Sequence, residues 1–128
     1  MGNNLSAQGS ASGKVLALRI ENNANIGAYP IMTGVAIQLL IGPWVQTSVY
    51  DIPLIDFHFT AVLTNTASTG AYRGAGRPEA IYNIERLMDE GARLSGIDRV
   101  ALRRRNFVQP AQMPYKNQMG QTYDVGHF

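Results

Sequence analysis

The hydrophobic period changes across one short segment, and that change dictates how the middle of the chain must fold. Ile55, Phe57, Phe59, Ala61 and Leu63 alternate with Asp56, His58, Thr60 and Thr64. A period of two puts the apolar set on one face of a half-buried strand, with His58 on the polar face as a solvated or hydrogen-bonded side chain. From Pro78 to Ser95 the pattern is helical. Ala80, Ile81, Ile84, Leu87, Met88, Gly91 and Leu94 make one stripe, while Asn83, Arg86, Asp89, Glu90 and Arg93 face away. Pro78 and Glu79 suit a first helical turn, where a fixed φ and a negative charge both help, and Gly96 stops the helix.

The segment that joins the two patterns runs from Asn65 to Arg77 and holds Gly70, Gly74 and Gly76. Glycines permit backbone angles and close approaches that a Cβ forbids. The segment enters a helix N-terminus, whose free N–H groups and dipole favour an anion, and Arg73 and Arg77 flank the glycines. An oxyanion or a phosphate-bearing cofactor is therefore expected against this backbone. The spacing matches neither Gly-x-x-x-x-Gly-Lys-Ser/Thr nor Gly-x-Gly-x-x-Gly. A tight strand-to-helix turn with incidental arginines explains the glycine content equally well.

Residues 1–13 are mostly Gly, Asn, Ser, Ala and Gln, which reads as a flexible lead-in. Lys14 to Ile20 is strand-like and ends at Asn22-Asn23. A turn at Gly27-Ala28-Tyr29-Pro30 precedes a short helix that Gly42-Pro43 should end, leaving 42–54 as loop. Asp98 is a plausible N-cap for a helix over 99–106. Its Arg103-Arg104-Arg105 run reads as cations on a helix C-terminus, or alternatively as a basic patch for anions or nucleic acid. From Val108 onward the chain is aromatic but without period. The expected fold is α+β, with a small mixed sheet of strands near 14–21 and 55–64 and flanking helices near 30–41, 78–95 and 98–106.

Composition narrows the function classes. A length of 128 residues suits about one domain. Charged residues reach only 16%, so much of the surface must be neutral or covered, which fits a piece of something larger. A net charge of +2 does not call for nucleic acid or an anionic membrane as partner. The lack of cysteine excludes disulfides, thiolate metal ligands and iron–sulfur ligation by these residues, and makes the cytoplasm the expected compartment. The longest apolar run, Ile31 to Trp44, is broken by Gly34, Gln38, Gly42 and Pro43 and is too short to span a bilayer.

Several motifs stand in a collinear order: Thr64-Asn65-Thr66, Gly70-Ala71-Tyr72-Arg73-Gly74-Ala75-Gly76-Arg77-Pro78-Glu79-Ala80, Glu85-Arg86-Leu87-Met88-Asp89 and Leu102-Arg103-Arg104-Arg105-Asn106-Phe107. With Gly27-Ala28-Tyr29 and Gly120-Gln121-Thr122-Tyr123-Asp124, this block resembles part of the large subunit of the molybdenum hydroxylases, the xanthine dehydrogenase, aldehyde oxidase and aerobic carbon monoxide dehydrogenase-like enzymes. The resemblance covers the chain from about Gly13 onward, so that 14–128 would be a partial molybdopterin-binding domain. It implies a molybdenum pterin, in bacterial members often the cytosine dinucleotide, bound by Ala71, Tyr72, Arg73 and Gly74. The main chain of Arg73 would lie next to molybdenum, and Ala75 and Gly76 would border the substrate pocket.

The resemblance further implies hydroxylation of a small-molecule substrate with water-derived oxygen. Electrons would leave through iron–sulfur clusters to FAD, both carried by partner subunits or domains. Two departures from the family pattern matter. Copper-containing members resemble Ala-Tyr-Arg-Cys-Ser-Phe-Arg here, whereas this chain has Gly74, Ala75 and Gly76 and no thiol. Purine-oxidising members carry an aromatic at the Ala75 position, so an aldehyde or an N-heterocycle is the expected substrate. The family's catalytic glutamate has no counterpart motif in this chain. Glu79 and Glu85 read as a first-turn charge and a helix-packing acid, so no catalytic residue is expected and the isolated chain should be inactive.

Overall fold

The computed structural model describes residues 2–128, with side chains from residue 4 onward. Strand β1 (Gly2–Gly9) turns back into β2 (Val15–Gly27). A helical stretch follows, made of α1 (Met32–Ala36), a π-helical turn (Ile37–Ile41) and the short α2 (Gly42–Trp44). Next come β3 (Ile55–Leu63), α3 (Arg77–Ser95) and α4 (Arg99–Asn106). A 3-10 turn at Pro110–Gln112 and a small hairpin of β4 (Tyr115–Lys116) and β5 (Thr122–Tyr123) close the chain. Strand β2 is central, antiparallel to β1 and parallel to β3. This is the α+β arrangement of a mixed sheet with helices that the periodicities predict.

Three sequence expectations need correction. The lead-in is no tail: residues 2–9 form an edge strand whose backbone pairs with Val15–Asn23, and Leu5 packs against the core. A polar, low-complexity sequence shows no period, yet a hairpin partner satisfies its N–H and C=O groups all the same. Strand β2 continues through Asn22-Asn23 to Gly27, because neighbours on both sides hold those backbones in the ladder. The helix also passes Gly42-Pro43. The Gly42 N–H returns to the Ile37 carbonyl, five residues back. The wider π-turn relieves the clash that a proline ring makes with the carbonyl four residues earlier.

Helix α3 buries Ala80, Ile84, Met88 and Ala92, a row at spacing four, against Leu18 and Ile20 of β2 and Tyr50, Ile52 and Leu102. The stripe is narrower than the sequence suggests. Leu94 is 72% exposed, while Ala92, not singled out beforehand, is buried. Each fully buried Ile, Leu or Met contributes about 1.5–3 kcal/mol.

Helix α4 is capped by Asp98, whose carboxylate accepts from the amides of Val100 at 3.0 Å and Ala101 at 2.9 Å. Those bonds hold the Asp98 carboxyl below its ordinary range. Arg103 fastens α4 to α3, donating to Glu85 at 2.8 Å and Asp89 at 2.9 Å, while Tyr50 donates to the other Glu85 oxygen at 2.7 Å. Arg105 donates to the Ser12 carbonyl at 2.8 Å. Asn106, fully buried, donates to Gly13 and Leu102 carbonyls and accepts from the Val15 amide, tying the β1–β2 turn to α4.

The aperiodic tail finds its partner within the chain. Phe107 stacks on Tyr50 with ring centroids 5.7 Å apart, Tyr123 donates to the Ser48 carbonyl at 2.7 Å, and Asn117 donates to the Trp44 carbonyl at 2.8 Å. Tyr115 donates to Asp51 at 3.1 Å, and burial together with that carboxylate pushes its ionisation up to about 12.

Two outcomes are expected. Arg103→Ala leaves Glu85 and Asp89 without their shared cation and should lower unfolding free energy by about 2 kcal/mol, whereas exposed Arg104→Ala should change it by less than about 0.5 kcal/mol in urea titrations. An unfolded tyrosine ionises at about 10. The folded chain therefore keeps the Tyr115 proton longer, and this contribution is complete below about pH 10 and lost as pH rises to about 12. Melting curves of Tyr115→Phe should show a flatter loss of Tm over that window than the parent.

Candidate active site

The parallel strands β2 and β3 deliver their C-terminal ends side by side, and the glycine loop begins there. Gly27, at φ 80°, ends β2 and accepts from the Thr64 amide at 3.1 Å, while the Ala28 amide donates to Thr66 at 3.0 Å. Asn25 locks the corner: its side-chain oxygen accepts from the Gly27 amide at 2.8 Å and from the Thr64 hydroxyl at 2.7 Å.

Beyond the corner the loop lies directly on the α1–π stretch, at positions where only glycine fits. A Cβ on Gly34 would stand 2.2 Å from the Thr69 carbonyl oxygen, and one on Gly76 would stand 2.9 Å from Ile37. Gly34 is a close-contact position of the loop that helical periodicity alone did not reveal. A lone glycine inside an apolar helical run was the available signal, since such a residue often marks a close backbone approach.

Gly74, Ala75 and Gly76 are consecutive residues in left-handed conformations, with φ of 93°, 46° and 88°. Two hydrogen bonds close the turn, Ala75 N–H to Tyr72 O at 2.8 Å and Arg77 N–H to Gly74 O at 3.1 Å. For Ala75 this geometry costs about 1–2 kcal/mol, and strain of this kind gathers at functional sites. The amides of Gly74 and Gly76 find no acceptor among the described residues. Gly76 also caps α3, so these amides stand where a helix N-terminus favours negative charge.

Tyr72, Arg73, Ala75 and Gly76 border one open cleft of about 460 Å³, faced by Ile37 and Gln38 of the π-turn and by Thr69 and Glu79. Ala71 and Gly74 belong to the same turn but not to the lining. Tyr72 is 87% exposed. Arg77 turns back onto the Gly74 carbonyl at 3.3 Å, leaving Arg73 as the cation over the cleft. The Thr69 hydroxyl oxygen is buried without a hydrogen-bond partner. Glu85 lies apart, committed to Tyr50 and Arg103. Among the described residues no group of His, Asp and Glu side chains converges as a metal site. A second cleft of about 300 Å³ runs between the β1–β2 turn and α3, away from the loop.

Comparison with known proteins gives this geometry a context. Residues 4–107 match the family described as the molybdopterin cofactor-binding domain. The chain is 36% identical over 118 residues to the carbon monoxide dehydrogenase large chain of Afipia carboxidovorans, covering 91% of this chain and 15% of that one. It is 31% identical over 121 residues to the nicotine 6-hydroxylase large subunit of Paenarthrobacter nicotinovorans, covering 93% of this chain and 15% of the relative. Among solved structures, a Cu,Mo-CO dehydrogenase superposes with a TM-score of 0.85 at 32% identity, covering 98% of this chain and 16% of that one. Quinoline 2-oxidoreductase from Pseudomonas putida superposes at 0.84 with 31% identity, over 95% and 16% of the two chains. The chain thus spans about 15% of the length of these curated relatives.

Glycine contacts in the loop should be strict where the backbone touches and lax where it does not. Gly34→Ala must displace the Thr69 carbonyl and should cost about 1–3 kcal/mol, with faster deuterium uptake across 66–73. Gly70→Ala, where a Cβ meets nothing within 4 Å, should leave that uptake near the parent's.

Proposed function

Because the chain belongs to the molybdopterin cofactor-binding domain family, we propose that it forms one wall of the active site of a molybdenum hydroxylase large subunit, with the loop Ala71–Gly76 as the face that meets the cofactor. The observation that carries this reading is the run of left-handed residues at Gly74, Ala75 and Gly76, which leaves the Gly76 amide and the Arg73 side chain at one cleft, with the Gly74 amide in the same turn. These groups suit a phosphate-bearing pterin: amides without acceptors, a cation without a carboxylate partner among the described residues, and open space at Gly70 where a Cβ would meet nothing.

When bound, the molybdenum pterin supplies the oxygen-transfer and two-electron chemistry, and the protein supplies orientation and electrostatics. The main chain of Ala71, Tyr72, Arg73 and Gly74 would hold the cofactor, with Arg73 next to the metal. Ala75 and Gly76 would form the substrate side, a small and open boundary suited to an aldehyde or an N-heterocycle. With Gly74, Ala75 and Gly76 in the loop and no cysteine in the chain, no thiolate of this chain can hold copper. The general base, the remaining pterin contacts, and the iron–sulfur and FAD groups would come from the rest of the subunit and from partner subunits in the cytoplasm. Exposed apolar side chains at the loop end, Tyr29 at 79% and Met32 at 84%, support burial against such neighbours. Among the described residues no helix is long and apolar enough to cross a membrane.

The alternative, an anion- or nucleic-acid-binding module, needs a free basic patch. Arg103 and Arg105 are engaged in hydrogen bonds to Glu85, Asp89 and the Ser12 carbonyl, which disfavours it.

Co-expression with the remainder of the subunit and its partners, followed by metal analysis, tests the reading. Molybdenum and pterin should co-purify, and Arg73→Ala combined with Gly74→Val should lower molybdenum occupancy roughly tenfold or more. Salt-dependent nucleic-acid binding without molybdenum would sink it. The isolated chain should turn over no substrate.

A further inference from the structure

The π-helix is rare, occurs mostly as a single turn within an α-helix, and is frequent at functional sites. In this chain the π-turn Ile37–Ile41 buries Ile37 beneath Gly76 and places the next residue, Gln38, on the lining of the loop cleft. No hydrogen bond among the described residues occupies the Gln38 side chain, so its carbonyl and both N–H donors are free for a ligand. The other polar groups there are less suited to reading a neutral ligand. Arg73 and Glu79 carry opposite charges, which together select against neither sign, and the Thr69 hydroxyl faces Gly34. Ala75 provides no ring, and the Tyr72 ring, 87% exposed, offers a stacking face that does not tell one edge of a planar ligand from another. Orientation within this cleft therefore falls to hydrogen bonds, and a primary amide is the group that can donate and accept along one edge.

We propose that Gln38 is a specificity-determining residue of this cleft, pairing its side-chain amide with a neutral ligand whose edge carries an acceptor beside an N–H donor, as in a carboxamide or a ring lactam. The inference rests on the part of the cleft bordered by Ala75 and Gly76 being the substrate side of the cofactor loop. A site with a committed polar group discriminates strongly against an analogue that lacks the matching group, because the buried amide is then left unpaired.

The test uses two probes of similar size, benzamide and benzaldehyde, which share a ring and an acceptor but differ in the N–H donor. Binding to the chain assembled with the rest of its subunit is measured by calorimetry, with molybdenum content recorded in parallel. Gln38→Leu should weaken benzamide binding roughly tenfold or more and leave benzaldehyde within about twofold, at unchanged molybdenum content. Should Gln38→Leu lower Tm, Gln38→Met carries the comparison, since it keeps the length of the side chain and removes both the amide acceptor and its donors. It should also weaken benzamide selectively. Equal shifts for both probes, or none, overturn the proposal. An assembly of the unaltered chain without molybdenum overturns the cofactor reading instead, and the benzamide-to-benzaldehyde ratio still decides Gln38.

Discussion

Everything at the loop depends on backbone meeting backbone without side chains between them. Gly34 of α1 touches the Thr69 carbonyl, and Gly76 at the head of α3 touches Ile37, so the loop is clamped between the π-helical stretch and the next helix. A Cβ at either place would move the loop by several tenths of an ångström or more. The consequence reaches beyond packing. With both ends of the loop held, the unusual φ values at Gly74, Ala75 and Gly76 are enforced by their surroundings, and the amides between them cannot relax toward internal partners. A cofactor phosphate or oxo group would find these donors already oriented.

The remainder of the fold braces that clamp. Strand β2 is paired on both sides and carries Asn25, which ties the β2 corner to the first residues of the loop. Helix α3 leaves the loop and is anchored by its buried row on the sheet and by Arg103 on α4. The aperiodic tail folds over the segment between α2 and β3 through Asn117, Tyr115 and Tyr123. Most of the candidate site residues thus sit on a turn that helices and strands position, with Gln38 and Glu79 reaching the cleft from the flanking helices.

Such a scaffold still builds only one side of a pocket. The cleft is open, Tyr72 is almost fully exposed, and apolar side chains around the loop end stay uncovered. The relatives that match nearly all of this chain are several times longer than it.

The local elements were legible in the sequence wherever a period ran long enough. The alternation over 55–63, the helix over 77–95 and the Asp98 cap each follow from short-range rules of side-chain direction and backbone hydrogen bonding. The glycine loop was legible as a tight strand-to-helix turn, and the ordered motifs in and around it pointed to the family. Tertiary structure alone decided the rest. Residues 2–9 become a strand because a hairpin partner satisfies their backbone, which composition cannot signal. The helix runs past Pro43 because a π-turn relieves the clash, and it brings Gln38 to the cleft. Arg103 leaves the basic run to join Glu85 and Asp89, since charges pair with whatever packing sets beside them. Gly34 marks the boundary between the two kinds of knowledge. Its identity is plain in the sequence, but the carbonyl it makes room for lies in a loop that only the folded chain brings near.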